Sequence, residues 1–165
     1  MRKPLTAVLL VTSLFAPIQF ASADDDSSSK KIVLAKTITG AIAPKSVLAS
    51  SQGLVSAHNM MYRHSVTIYD AQSLELKATV ADSVDLSKYG YSKYSGEYKG
   101  APVEGAFSPD GKYLYFTNYA MYGKGFNKEG HDTCSPASGF DTSFLSRIDL
   151  ASYKIDAVYP VGSVP

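Results

Sequence analysis

Two stretches of the sequence hold most of the residues that could do chemistry. In one, Glu129, His131, Asp132, Cys134 and Asp141 stand among Gly123, Gly125, Gly130 and Gly139. An imidazole with carboxylates can ligate a divalent ion. Neighbours this close in sequence rarely converge on one ion, so a solvated loop is the expected reading, and no metal or cofactor is assigned. Gly125 and Gly130 have P-loop spacing, but no Lys-Ser follows, so they form no phosphate cradle. Cys134 is the only thiol, which excludes an internal disulfide framework and any multi-cysteine metal site. In an exported chain a lone cysteine points to a missing partner; the alternative is a buried free thiol.

The other stretch, residues 86–101, carries Tyr89, Tyr91, Tyr94 and Tyr98 on a Gly, Ser and Lys background. Tyrosine in such a setting gives broad contact area with adaptable hydrogen bonding. The alternative, slightly favoured, is that these rings cover the rim of the fold. Catalytic signatures are missing: there is no C-x-x-C-H, H-E-x-x-H or G-x-S-x-G. His58, His64 and His131 are scattered, and His58, beside Asn59 at a strand end, reads as a turn or core histidine.

The elements that must position these residues are short strands in a repeat. Pro44 stands nine residues before Gly53, as Pro102 does before Gly111. LVSAHN (54–59) then matches YLYFTN (113–118), and VTIYDAQSLELKATV (66–80) matches SRIDLASYKIDAV (146–158). Asp70 and Ser73 fall on Asp149 and Ser152. Residues 113–118 alternate Tyr, Tyr, Thr with Leu, Phe, Asn, the period of a strand. Asp110-Gly111 is a two-residue hairpin signal, because both positions tolerate positive φ. Asp70 and Asp149 end their strands where a carboxylate can bond turn amides. No stretch of the mature chain shows a helical period.

The segments FSPDGKYLYFTN and RIDLASYKIDAVYPVGSVP resemble the YVTN family of β-propeller repeats. The matching positions are Ser108, Pro109, Asp110, Gly111, Leu114, Tyr115, Thr117, Asn118, Ile148, Asp149, Leu150, Val161, Gly162 and Pro165. The resemblance implies an all-β, partial β-propeller: two four-stranded antiparallel blades, about 44–101 and 102–165, plus an N-terminal strand within 32–42. Closed propellers need at least four blades, so the expectation is a fragment or truncated product of a longer propeller. The insertions 86–101 and 119–143 join strands so that both emerge on one face, with the short loop 60–64 beside them. Length added on one face is how repeat proteins build binding surfaces. The contact residues expected there are Arg63, His64, Tyr89, Tyr91, Tyr94 and His131.

Arg2 and Lys3, the apolar run 5–15 and the small residues Ala21 and Ala23 form a secretory signal pattern over residues 1–23. The run falls short of the ~20 residues that span a bilayer, so no transmembrane segment is expected after cleavage. Residues 24–31 read as a solvated, disordered leader. The chain is therefore expected to be exported: periplasmic, cell-surface or secreted. Its 16 basic and 15 acidic residues leave a net charge of +1, which argues against a nucleic-acid coat. Two functions from different classes follow. One is an exported binding or surface scaffold without activity of its own, meeting a protein or surface ligand and self-associating through an open blade flank where Phe107, Leu114 and Phe116 expect a neighbour. The alternative, implied by the resemblance, is the remnant of a propeller enzyme, lactonase-like or haem d1 nitrite-reductase-like. The signal pattern gives a direct expectation: mass spectrometry of the exported product finds Asp24 at its N-terminus after cleavage at Ala23, and an intact Met1 would refute it.

Overall fold

The structure, a computed structural model, describes residues 32–60, 62–122 and 143–161. Two antiparallel sheets carry almost all of it. The first has strands β1 (Ser46–Ala49), β2 (Leu54–Asn59), β3 (Ser65–Asp70) and β4 (Leu76–Ala81), in that spatial order. The second has β5 (Ser83–Asp85), β6 (Glu97–Phe107), β7 (Tyr113–Tyr122), β8 (Phe144–Asp149) and β9 (Lys154–Pro160), also in order. The chain is all-β and forms two propeller-like blades.

The repeat is visible in the register. Leu54 pairs with Asp70, and Tyr113 with Asp149. The blades share a bulge at the same place: the ladder slips between Ile68 and Tyr69 in the first, and between Arg147 and Ile148 in the second, which also slips twice between β6 and β7 around Pro102. The turns match as well. Asp70 accepts from the amides of Gln72 and Ser73 at 3.0 and 2.9 Å, and Asp149 from those of Ala151 and Ser152 at 3.3 and 3.2 Å. The Ser73 and Ser152 hydroxyls donate to the same carboxylates. These bonds favour the charged form, the Ser73 amide most for Asp70 and the Ser152 hydroxyl most for Asp149, so both acids sit below their ordinary value. Leu74 and Tyr153 close the turns with φ of 57° and 53°.

Four expectations change. Residues 32–42 hold no strand; Gly40, at φ 112°, lets the chain bend, with the Ile42 amide bonding Gly40 O at 2.9 Å. Residues 32–35 are irregular and exposed. The second blade has five strands, because β5 pairs with residues 97–99, which the sequence reading assigned to an insertion. The Asp110-Gly111 connection is not a two-residue hairpin. It runs 108–112, closed by Ser108 N to Tyr113 O at 2.9 Å, and only Gly111 takes positive φ; the Asp110 side chain instead accepts from Lys112 N and Ser108 Oγ.

The fourth concerns the flank. Leu114 and Phe116 do not wait for a neighbour: they are fully buried, with Ile148, against Val66, Ile68 and Val80 of the first blade. Phe107 packs at the edge of the same cluster. A second cluster continues the interface with Val84, Leu86, Tyr94, Tyr98, Met121, Phe144 and Val158. Between the two apolar clusters lies a polar level. Asp82 falls between Val80 and Val84, Asn118 follows Phe116, and Ser146 separates Phe144 from Ile148, all three buried. Truncating Phe116 to alanine should destabilise the chain by about 3–5 kcal/mol in denaturant unfolding, since it empties the centre of the blade interface, while Leu145→Ala on the outer face should cost under about 1 kcal/mol.

Candidate functional site

The register brings three connections to one end of the blades. Ser65 pairs with Ala81, so the β2–β3 connection lies beside the exit of β4. Lys99 pairs with Tyr122, so the entry to β6 lies beside the exit of β7. Backbone bonds tie these points together: Asp82 N donates to His64 O at 2.8 Å, and Gly100 N to Asp82 O at 2.9 Å. His64 Nδ1 donates to Gly100 O at 2.8 Å, and its ring meets Tyr122 edge-on at 5.2 Å. Among the described residues the opposite end holds the braced turns described above, the turn at 50–53, and Lys36, whose Nζ donates to Leu74 O at 3.3 Å.

Asn59 and Asn118 occupy matching places at the loop end. Asn59 Oδ1 accepts from Ala43 N at 3.0 Å, while its Nδ2 reaches Thr67 Oγ1 at 3.2 Å. Asn118 Nδ2 donates to Phe144 O at 3.1 Å, and Ser143 Oγ donates to Asn118 O at 2.6 Å. Asn118 thus grips the far foot of the 119–143 connection. Its Oδ1 turns the other way, toward Asp82. A Cβ added at Gly100 would collide with Asn118 Oδ1 and Asp82 Oδ2 together, so both oxygens close on that glycine. Burial drives the Asp82 carboxyl up to about 8, with a smaller opposing pull from Asn118. His58, elsewhere at the blade interface, is pushed down to about 4 by burial against a weaker pull from the Val103 backbone, so it is neutral at pH 7.

The expected contact residues part company here. Arg63 is exposed beside Tyr62. His64 is buried and serves the backbone junction. Tyr94 is in the core, edge-on to Tyr98 and Phe144. Tyr89 and Tyr91 are half-buried, and their hydroxyls donate to Ile155 O at 2.9 Å and Val158 O at 3.1 Å on β9. The 3₁₀ turn Leu86–Tyr89 that carries Tyr89 is capped by Asp85, which accepts from Ser87 N, and ends at Gly90 in the left-handed region. These tyrosines lie along the sheet edge, where unpaired strand carbonyls otherwise invite another chain. A groove of about 410 Å³ beside them includes Ser83, Asp85, Lys88, Tyr89, Glu97 and Tyr153. Its polar groups largely satisfy each other: Ser83 donates to Glu97, and Lys88 pairs with Asp85 at 3.9 Å. His131, Cys134, Ala23 and Asp24 lie outside the described residues. Among the described residues no cluster of three metal-ligating side chains forms, and no helix is long and apolar enough to cross a membrane.

Asp82 was not among the expected site residues, although its signal is in the sequence. Val80, Asp82 and Val84 alternate with period two, which places the carboxylate on the buried face.

No protein-family model matches the chain, and no curated protein matches it. Among solved structures, hydrazine synthase of Kuenenia stuttgartiensis is similar over 82% of this chain, at 18% identity and a TM-score of 0.36. The chain spans 41% of the length of that structure. Replacing Tyr89 and Tyr91 with phenylalanine, one at a time, should lower stability by about 0.5–1.5 kcal/mol each in denaturant unfolding, because each removes one bond to a β9 carbonyl and leaves the ring in place.

Proposed function

We propose that the chain is an exported, propeller-type binding scaffold that takes a protein or surface ligand at its loop end. One observation carries the reading. The connections at 60–64, 82–96 and after Tyr122 leave the same end of the two blades, whereas the opposite end holds short, internally braced turns. The resemblance to YVTN repeats and the secretory pattern of residues 1–23 agree with it. Tyr62, 76% exposed, and Arg63 are the side chains offered outward next to the buried His64.

The outer face of the second blade offers a self-association surface. By the shared register, Leu145, Arg147 and Tyr159 stand where Val66, Ile68 and Val80 of the first blade meet their neighbour. Arg147 forks onto Asp156 at 2.8 and 2.9 Å and lies 4.3 Å from the centre of the Tyr113 ring, so its charge is already satisfied. That leaves a tyrosine-rich, half-exposed sheet face.

Two measurements test the proposal. Labelled mature chain is applied to cell-envelope fractions, with Tyr62→Ser and Arg63→Ala combined at the loop end and Lys112→Ala as the opposite-end control. Loss of about tenfold in affinity for the loop-end variant alone is expected for side chains at an interface centre. Equal binding by both variants would overturn the loop-end assignment. In sedimentation, the wild-type chain should self-associate and Leu145→Asp should not; a monomeric wild type would remove the second surface.

A further inference from the structure

We propose that Asp82 is a proton-operated latch between β7 and β8: held as a neutral carboxylic acid, it donates to Asn118 Oδ1, and loss of its proton loosens the ties from Asn118 to Ser143 and Phe144. The geometry leaves few alternatives. Asn118 Nδ2 is committed to Phe144 O at 3.1 Å, which fixes the amide and turns its oxygen toward Asp82. Neither Asp82 carboxyl oxygen, nor Asn118 Oδ1, has a hydrogen-bond donor among the described residues. Asp82 is 1% exposed and Asn118 fully buried, so water does not solvate them in bulk. Two buried acceptors that close on the same glycine, Gly100, repel unless one carries a hydrogen. A proton on Asp82 turns it from acceptor to donor and satisfies both groups.

Ionisation undoes this arrangement. A carboxylate needs a donor, and the Asn118 amide beside it carries one in Nδ2. Turning the amide to supply it points Oδ1 at Phe144 O and breaks the bond that holds Phe144. The second tie, from Ser143 Oγ to Asn118 O, sits on the same residue. The latch therefore acts on the start of β8, through Ser143 and Phe144.

The surroundings assign the titration to Asp82. From the β2–β3 connection the titratable neighbour is His64, whose Nδ1 is committed to Gly100 O. From β7 it is Tyr122, which packs on the His64 ring. On β6 Tyr98 is buried in the apolar cluster and Lys99 is exposed, flanking Gly100. From β5 and β8 the residues at this level are Val84, Phe144 and Ser146, none of them charged. His58 titrates with opposite sign: its folded value is lowered to about 4, so its contribution is complete above 6.5 and lost as pH falls through 4. For Asp82 the folded value is raised from 3.8 to about 8. Its contribution is complete below 3.8 and is lost as pH rises toward 8. Comparison with a variant that lacks the Asp82 carboxyl therefore isolates its contribution.

The test uses the full chain and the variant Asp82→Asn, whose side-chain N–H keeps the donation to Asn118 Oδ1 at every pH. Carboxyl carbon NMR should show one aspartate titrating near 8. Amide exchange at 143–145, normalised to Asp82→Asn, should quicken about tenfold per pH unit between 6.5 and 7.5 and level off above 8. Three outcomes would overturn the latch: Asp82 titrating near its ordinary value, equal exchange in both proteins, or protection restored at pH 9 by calcium chloride, which would put a cation where the proton is placed. If Asp82→Asn does not fold, the NMR titration of the wild-type chain decides alone.

Discussion

The structure depends on one interface, the face-to-face packing of two antiparallel sheets. A single four-stranded sheet has a face that must be covered, and here each blade supplies the cover of the other. Val66, Ile68 and Val80 come from the outer half of the first blade, and Leu114, Phe116 and Ile148 from the middle of the second. The remaining elements can be read as consequences. The bulges, repeated at Ile68/Tyr69 and Arg147/Ile148, set the local twist that lets the sheets stack. The Asp70 and Asp149 turns fix strand ends so that the two apolar faces stay in register. Residues 82–96 then extend the same interface, because Val84, Leu86 and Tyr94 continue the covered face past the end of β4.

Stiffness is distributed unevenly along the blades for a chemical reason. At one end every strand connection is closed by a side chain that bonds its own turn: Ser50, Asp70, Ser108 with Asp110, and Asp149. At the other end the connections are held by contacts between separate segments, such as His64 with Gly100 and Tyr91 with Val158. Turns braced locally change little when a neighbour moves. Connections braced across segments move together, which is what a binding end needs if one loop is to sense another.

Much of the fold was legible because it lies in short-range patterns. The alternation at 113–118 separated the two faces of β7, and the matched Asp and Ser positions located both late turns. The Asp110-Gly111 pair misled because hairpin propensity reads two residues, whereas Ser108 draws the connection out to five by bonding Tyr113 N. The strand expected at 32–42 rested on the likeness of its ending to residues 161–165, and it met Gly40 at φ 112°. The flank assignment failed for a different reason. Strand period tells which residues share a face, and it placed Leu114 and Phe116 together; it cannot tell which of the two faces meets the preceding blade. The site was less legible still. The tyrosines of 86–101 stand out as a group in the sequence, yet whether a ring faces solvent or a strand edge depends on the path of the chain across β9, and sequence spacing does not contain that path.

The polar level between the two apolar clusters ties these points together. A continuous apolar interface would tolerate sliding of one sheet over the other, since methyl and ring surfaces are interchangeable at about one strand spacing. Asp82 and Asn118 are not interchangeable with anything around them. Sliding the second sheet by one side-chain repeat along β7 would bring Phe116 or Ala120 to the place of Asn118 and leave the Asp82 carboxyl with no partner, and an unsatisfied buried polar group costs about 1–3 kcal/mol or more. The same pair therefore does two jobs that follow from one property. Because it is satisfied in only one arrangement, it fixes the stacking of the blades; because that arrangement requires a proton, the fixing is conditional on pH. A residue such as leucine at position 82 would pack the interface equally well and would supply neither.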